Sequence, residues 1–479
     1  MNVFSMYPMR EGDLLGLKGI SAWPDGGHRR RQRPIARQSY GADRACRSTQ
    51  SWLLVLGRWG LAVWVAMSLA AEWPHALARA AEPDGMIASP EPDWPQWRGP
   101  RRDAIASETG LLPAWPHGGP KLLWKTDHLG IGWSSPIVVG DRIYITGDVD
   151  EDLVVFALDL DGRVQWRTTN GRSWTGSYPG ARATCAFSEG RLYHLNAHGR
   201  VACLDAASGK ELWAIDMLER FQSRNITWAI SECLLVDGPR LIVTPCGRKA
   251  LMAALDKNSG KTVWTTEPLP DDRATYSSPI LFRHNGRRLL ANCSSAHGFG
   301  VDADTGRRLW AVPLKNRYDV NVTPPVYGEG KIFYVTAYTP ALQYALRSTP
   351  SGIEAERTWT NALDTVTGGA VLVEGRLYAA GYSKQKWWFS FDWKTGKALA
   401  EQKGLTTGAA VYADGRLYCL AQDGQAALLR PTAAGLEIAG KFALVPKTKQ
   451  DAWAHPVLCR GRLYLRYHDA LWCYDVRAR

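Results

Sequence analysis

The chain has 479 residues, 45% of them apolar, which is enough for one large core or two ordinary ones, and its 22 Trp and 46 Gly favour aromatic packing at recurrent turns. Its net charge is +12, but residues 1–81 hold eleven Lys/Arg against five Asp/Glu, so half of the excess sits at the N-terminus and no basic stripe is left for a nucleic acid. None of the nine cysteines forms a Cys-x-x-Cys, which argues against a zinc ribbon or a thioredoxin-like motif.

In chain order, residues 1–51 are Arg-rich without apolar periodicity and read as a basic, disordered leader. Trp52 to Ala71 is the one long apolar run, broken by Arg58, and small residues at Ala76, Ala78 and Ala80 follow it. Residues 52–81 therefore read as an export signal with cleavage near Ala81, the alternative being an uncleaved membrane anchor through residues 52–71. Cys46 precedes the apolar run, so no lipidation box is expected. The expected location is the periplasm or cell envelope. The eight cysteines beyond the leader are expected as buried thiols or as one or two disulfides. Residues 82–120 form a lead-in rich in Pro and Trp.

From Pro136 onward one pattern recurs: an apolar strand, a Gly-containing turn, and a strand with an aromatic or aliphatic end. It starts at Pro136, Cys185, Cys233, Pro279, Pro325, Ala370, Ala410 and Pro456, at intervals of 40 to 49 residues. Between these hairpins lies a second type, clearest at Val201 to Asp216 (VACLDAASGKELWAID) and repeated at Met252 to Thr265 and Gly300 to Ala311. There an Asp caps the turn, a Gly supplies left-handed backbone, and a Trp eight residues after the Asp packs between units. Blades 5 and 7 have drifted from this form. Two hairpins per period make four strands, the signature of a propeller blade. The expectation is an all-β, eight-bladed β-propeller of four-stranded antiparallel blades over residues 121–479. The last repeat supplies only three strands, so Lys121 to Thr126, with Trp124 where Trp213 sits, is predicted to pair with Leu471 to Tyr474 and close the ring.

The second hairpin, Ala202 to Asp205 with Ser208, Gly209, Lys210 and Trp213, resembles the tryptophan-docking repeat of pyrroloquinoline quinone (PQQ) enzymes. The phrase DWPQWRGP at Asp93 to Pro100, followed by Glu108 to Leu111 and Gly119 to Trp124, is similar to the opening of PQQ-binding-like propeller proteins. The resemblance covers residues 93–479 and implies an exported eight-bladed propeller. It implies two opposed functions: quinoprotein dehydrogenases hold PQQ and calcium at one channel mouth, whereas the propeller subunit of the outer-membrane β-barrel assembly machinery is a scaffold without cofactor. The sequence has neither the adjacent Cys pair of many alcohol-oxidising quinoproteins nor a Cys-x-x-Cys-His haem site. The reading taken is a binding or scaffold module of the cell envelope with no cofactor. The alternative is a PQQ- and calcium-dependent alcohol or sugar dehydrogenase.

A site belongs in the loops that ring one mouth of the channel. Trp133, Arg182, Arg224, Trp228, Tyr276, Trp453 and His455 are the candidates there: aromatics and guanidiniums suited to a small anionic or carbohydrate-like ligand, or to an envelope protein partner. Glu232, Asp272, Asp319 and Asp451 are the loop carboxylates, with no catalytic residue or metal site assigned. Asp148, Asp150, Asp152 and Asp159 have calcium-loop spacing, but Leu153 stands where that loop needs Gly, so they read as an acidic turn. No hydrolase elbow or phosphate-binding loop appears.

Overall fold

The computed structural model describes residues 82–350, 352–448 and 450–478; the leader and the export signal or anchor lie outside these. Among the described residues, no helix is long and apolar enough to cross a membrane. Eight antiparallel sheets follow one another in chain order at residues 137–172, 186–216, 235–265, 280–313, 326–361, 370–402, 408–443 and 457–475, each a meander of four strands save the last, which has three of its own. The fourth strand of blade 8 is Lys121–Thr126, paired with Ala470–Asp475 in the register Leu122 to Tyr474 and Trp124 to Cys473. The ring closes as the repeat count required. The one helix among the described residues, Met217–Arg220, is a single turn capped by Asp216 in the loop between blades 2 and 3.

In blade 1 the first strand, Ile137–Val139, is wholly buried, whereas the fourth, Val164–Arg172, is largely exposed or half-buried. First strands of neighbouring blades approach one another, so they line the central channel and the fourth strands form the rim. At the rim the tryptophans dock across blades. Trp124 lies over Gly162, Trp166 over Gly209, Trp213 over Gly260 and Trp264 over Gly306, so that a Cβ on any of these glycines would come within 2.6–2.8 Å of an indole carbon. Each glycine has φ between +69° and +83°, which a side chain would also disfavour. The turn is fixed from the other side by the motif Asp: Asp205 Oδ1 accepts from Ser208 N at 2.8 Å and Ser208 Oγ at 2.6 Å, and Asp256 does the same with Ser259. Trp310 departs from the series. It turns inward and donates from Nε1 to Tyr334 Oη at 3.1 Å, because blade 5 replaces the short glycine turn by a long hairpin, Thr339–Thr349 with Gly352–Asn361. Blade 5 nonetheless docks its own Trp359 over Gly396, although the sequence pattern there had faded.

The lead-in, which the sequence marks only as a Pro/Trp-rich loop, folds into the channel as a plug. Gly85–Met86 pairs with the first strand of blade 4. Trp94 exchanges both backbone bonds with Val138 of blade 1, Pro95 O accepts from Phe187 N of blade 2, and residues 104–106 bond Tyr412 of blade 7. At the lower face, where first and second strands turn, Asp93 accepts from Gly140 N at 3.0 Å and pairs with Arg460 at 2.6 Å, and Glu91 accepts from Glu189 N at 2.8 Å. Glu108 accepts from the amides of Arg460 and Gly461. The plug thus bonds blades 1, 2, 4, 7 and 8 through backbone and carboxylates, which leaves its arginines for blades 3 and 6.

Candidate functional site

The upper face of the ring is built by the loops entering each first strand and by the turns joining second to third strands. Trp133, entering blade 1, and Trp453, entering blade 8, have ring centroids 5.2 Å apart, and Tyr178 lies 5.3 Å from Trp453. Trp133 is held by its Nε1, which donates to Asp451 O at 3.0 Å. Arg182 stacks over Trp133 at 5.4 Å and over Trp174 at 5.7 Å. Its guanidinium donates to Gly180 O at 2.6 Å and Tyr178 O at 2.5 Å, so much of its fork serves the local loop. Burial lowers the Arg182 pKa to about 10, with Asp148 acting in the opposite sense. Asp148 is itself raised to about 6 by burial, against a bond from Trp174 N.

Across the mouth, Trp228 and Tyr276 pair at 6.0 Å, and Trp228 N donates to Tyr276 Oη at 3.3 Å. Arg224 is exposed in the same loop as Trp228. Of the seven candidates, the structure brings Trp133, Arg182 and Trp453 into one cluster and Trp228 with Tyr276 into a second. His455 is different: it is 6% exposed, its Nε2 bonds Thr367 O at 2.8 Å, and Trp97 of the plug meets its ring edge-on at 5.0 Å. Burial and the nearby Arg98 hold its pKa down at about 3, so it is a neutral wall residue rather than a mouth ligand.

The loop carboxylates are committed elsewhere. Glu232 is buried and accepts from Thr244 N at 2.9 Å and Thr244 Oγ1 at 2.7 Å, with its pKa raised to about 7 by burial. Asp272 holds Ser294 and the Nδ1 of His297, Asp319 pairs with Arg273 at 2.7 Å, and burial raises the pKa of Asp451. Asp148 and Asp152 face a tight turn on paired strands, while Asp159 ends the third strand at the other face, so the calcium-loop spacing is a hairpin. All eight cysteines of the described chain are free and buried.

Sequence reasoning missed two contributors. Tyr338 and Tyr382 come from second-to-third strand turns, which the loop count left out; their rings lie 5.7 Å apart, and Tyr338 is 48% exposed. The other is the plug tip. Half-buried Trp97 has the guanidinium of Arg98 at 5.7 Å and that of Arg102 at 5.8 Å from its ring centre. The phrase Trp97-Arg98-Gly99-Pro100-Arg101-Arg102 was the visible signal, but only its place in the channel gives it meaning.

Fold and mouth together define the class: an eight-bladed propeller of the PQQ-like, tryptophan-docking type. The family model described as outer membrane protein assembly factor BamB matches residues 151–398, just over half of the chain, and the chain belongs to that family. It is 28% identical over 159 residues to 1-butanol dehydrogenase (quinone) of Thauera butanivorans, covering 30% of this chain and 25% of that one. It is 22% identical over 282 residues to outer membrane protein assembly factor BamB of Yersinia pestis, covering 54% of this chain and 65% of that one. Both matches span less than two thirds of the relative. Among solved structures, quinohemoprotein alcohol dehydrogenase from Comamonas testosteroni superposes with a TM-score of 0.58 at 14% identity, over 81% of each chain, a likeness of fold alone.

Proposed function

We propose that this chain is an exported binding module of the cell envelope, whose upper mouth holds an envelope protein partner or a small anionic or carbohydrate-like ligand. The observation that carries this reading is the plug: beneath the mouth the buried tip of the lead-in, with Arg98 and Arg102, bonds residues at the first strands of blades 6 and 3, while aromatic side chains stay accessible above. Tyr178 and Tyr338 are 40% and 48% exposed, which suits stacking and edge contacts with a ligand that stays at the mouth.

The family also contains quinone-linked dehydrogenases, so the fit of PQQ with calcium bears directly on this choice. Trp97 and its two flanking guanidiniums are suited to a flat anion. The calcium half finds no such match: Glu232, Asp272 and Asp319 each satisfy a neighbour, and among the described residues no three His, Cys, Asp or Glu side chains converge as a metal would need. No oxidation step is derived for this chain. The test uses the full purified chain with PQQ and calcium, read by thermal shift and by dye-linked oxidation of an alcohol panel. Neither a shift nor turnover is expected; saturable binding with turnover would replace this reading by the dehydrogenase. In parallel, Tyr178→Ala/Trp453→Ala is expected to lose the envelope protein that the wild type retains.

A further inference from the structure

Arg98 and Arg102 are 2% and 3% exposed, both inside the channel. Arg98 donates to the carbonyls of Arg102, Asp103 and Ala370, the last at 2.6 Å. Arg102 donates to Cys233 O at 2.8 Å, Leu234 O at 3.0 Å and Gln96 Oε1 at 3.3 Å. Every one of these acceptors is neutral. The carboxylate of Asp103 is taken by Arg101 at 2.7 Å, and that of Glu232 by Thr244. Among the described residues neither guanidinium has an ion-pair partner, and the attraction of Asp103 for Arg98 and of Glu232 for Arg102 only partly offsets the burial of two like charges side by side.

Three observations locate where that offset can come from. Arg98 Nη1 and Arg102 Nε are buried N–H groups without a hydrogen-bond partner. Both residues line a cavity of about 60 Å³, together with Met86, Asp103, Val326, Tyr327 and Leu372. That space holds a few water-sized particles, and a polar cavity of this size is ordinarily filled. Asp103 is the one acid in its wall and its carboxylate is paired with Arg101, so the two guanidiniums outweigh it.

We propose that this cavity is a binding site for a small monovalent inorganic anion of chloride size, held between Arg98 and Arg102, which pins the plug tip in the channel. An anion there offsets one of the two buried charges, and the apolar part of the wall, Met86, Val326 and Leu372, favours a large, weakly hydrated halide over a strongly hydrated polyanion. The site needs neither PQQ nor a mouth ligand, so it stands independently of the proposed function.

The test is the melting temperature of the full chain in sodium chloride against sodium gluconate at equal ionic strength, with a crystal grown in bromide or iodide. The expected result is a saturable rise of several degrees in chloride, and an anomalous peak between the two arginines. Arg102→Met is expected to abolish both. Should that variant not fold, Leu372→Phe keeps both arginines and fills the cavity, and is expected to remove the chloride-specific shift alone. Equal melting in the two salts, or a halide crystal with no peak in the cavity, overturns the proposal in favour of water.

Discussion

At the rim, Trp124, Trp166, Trp213 and Trp264 each rest on a glycine of the next blade, in one geometry used again and again. Along the axis nothing repeats: Trp94 takes a backbone pair from blade 1, Arg102 two carbonyls ahead of blade 3's first strand, Arg98 a carbonyl of blade 6, and Glu108 two amides of blade 8. The rim solves the same problem at every blade, that of covering one flat sheet with the next. The channel is solved once, by a segment outside the repeats. Periodic contacts make the ring and leave it free of function, whereas individuality enters with the plug and the upper loops.

The sharpest way to break this contrast is to damage each region by a substitution of equal length. Replacing Lys121–Thr126 by Gly/Ser leaves the strand Ala470–Asp475 with an unpaired edge and opens the ring. The expected outcome is loss of soluble folded protein, read by expression and circular dichroism; a soluble variant that melts like the wild type would defeat it. Replacing residues 85–112 by a flexible linker should be milder. The eight sheets keep their mutual packing, and a fall in melting temperature on the order of 10 °C is expected with the β spectrum kept. If both variants failed alike, the plug would have to be counted as part of the ring's own closure.

A pair of glycines sharpens the rim half of the comparison. Gly260, with φ of +69°, lies 2.8 Å short of Trp213 for any added Cβ, whereas Gly238, with φ of +56°, faces open space. Gly238→Ala pays only the left-handed backbone, about 1–2 kcal/mol. Gly260→Ala adds overpacking against the indole, a further ~1–3 kcal/mol. Denaturant unfolding of the two variants checks the difference, and equal losses would mean the docked indole moves aside freely.

How much of this was legible in the sequence follows the same division. The Asp-to-Trp spacing of eight residues, read at Asp205 to Trp213 and its copies, encodes a local turn and a docking contact on the next blade that recur at a fixed period, so blade number, strand number and the closing role of Trp124 are all legible. Blade 5 shows the limit: Trp359 docks over Gly396 although its own hairpin has lost the pattern, because the capped glycine turn that receives the indole, Asp392 with Thr395, belongs to the next blade. The plug lay beyond reach for a different reason. Trp97, Arg98 and Arg102 owe their role to partners far along the chain, Ala370, Cys233 and His455, and no periodicity links such residues. The position of His455 before a first strand points to the mouth, but Trp97, far up the chain, covers its ring.

The smallest expected effect tests the channel through protons. Burial lowers His194 to about 4 and His455 to about 3, below the ordinary value near 6.5. Below about pH 6.5 the unfolded chain therefore takes up protons that the folded chain refuses, and stability falls as the pH drops toward 4, by up to about 1.4 kcal/mol per pH unit for each histidine. Glu232 acts with the opposite sign. Its folded value near 7 exceeds its unfolded value, so its contribution is present below pH 4.5 and is lost as the pH rises through 7. Asp148, raised to about 6, acts in the same sense as Glu232, so the two acids nearly offset the two histidines between pH 6.5 and 4.5 and the melting temperature should change little over that interval. His455→Gln removes roughly one proton's share of the downward slope, so the variant should gain melting temperature as the pH falls from 6.5 to 4.5. The rim has no such dependence in this range: Asp205 and Asp256 are held below the usual carboxylate value by Ser208 and Ser259, so their contribution fades only as the pH falls through those lower values. An unchanged slope in the His455 variant would mean that the plug opens readily enough for that ring to take a proton in the folded protein.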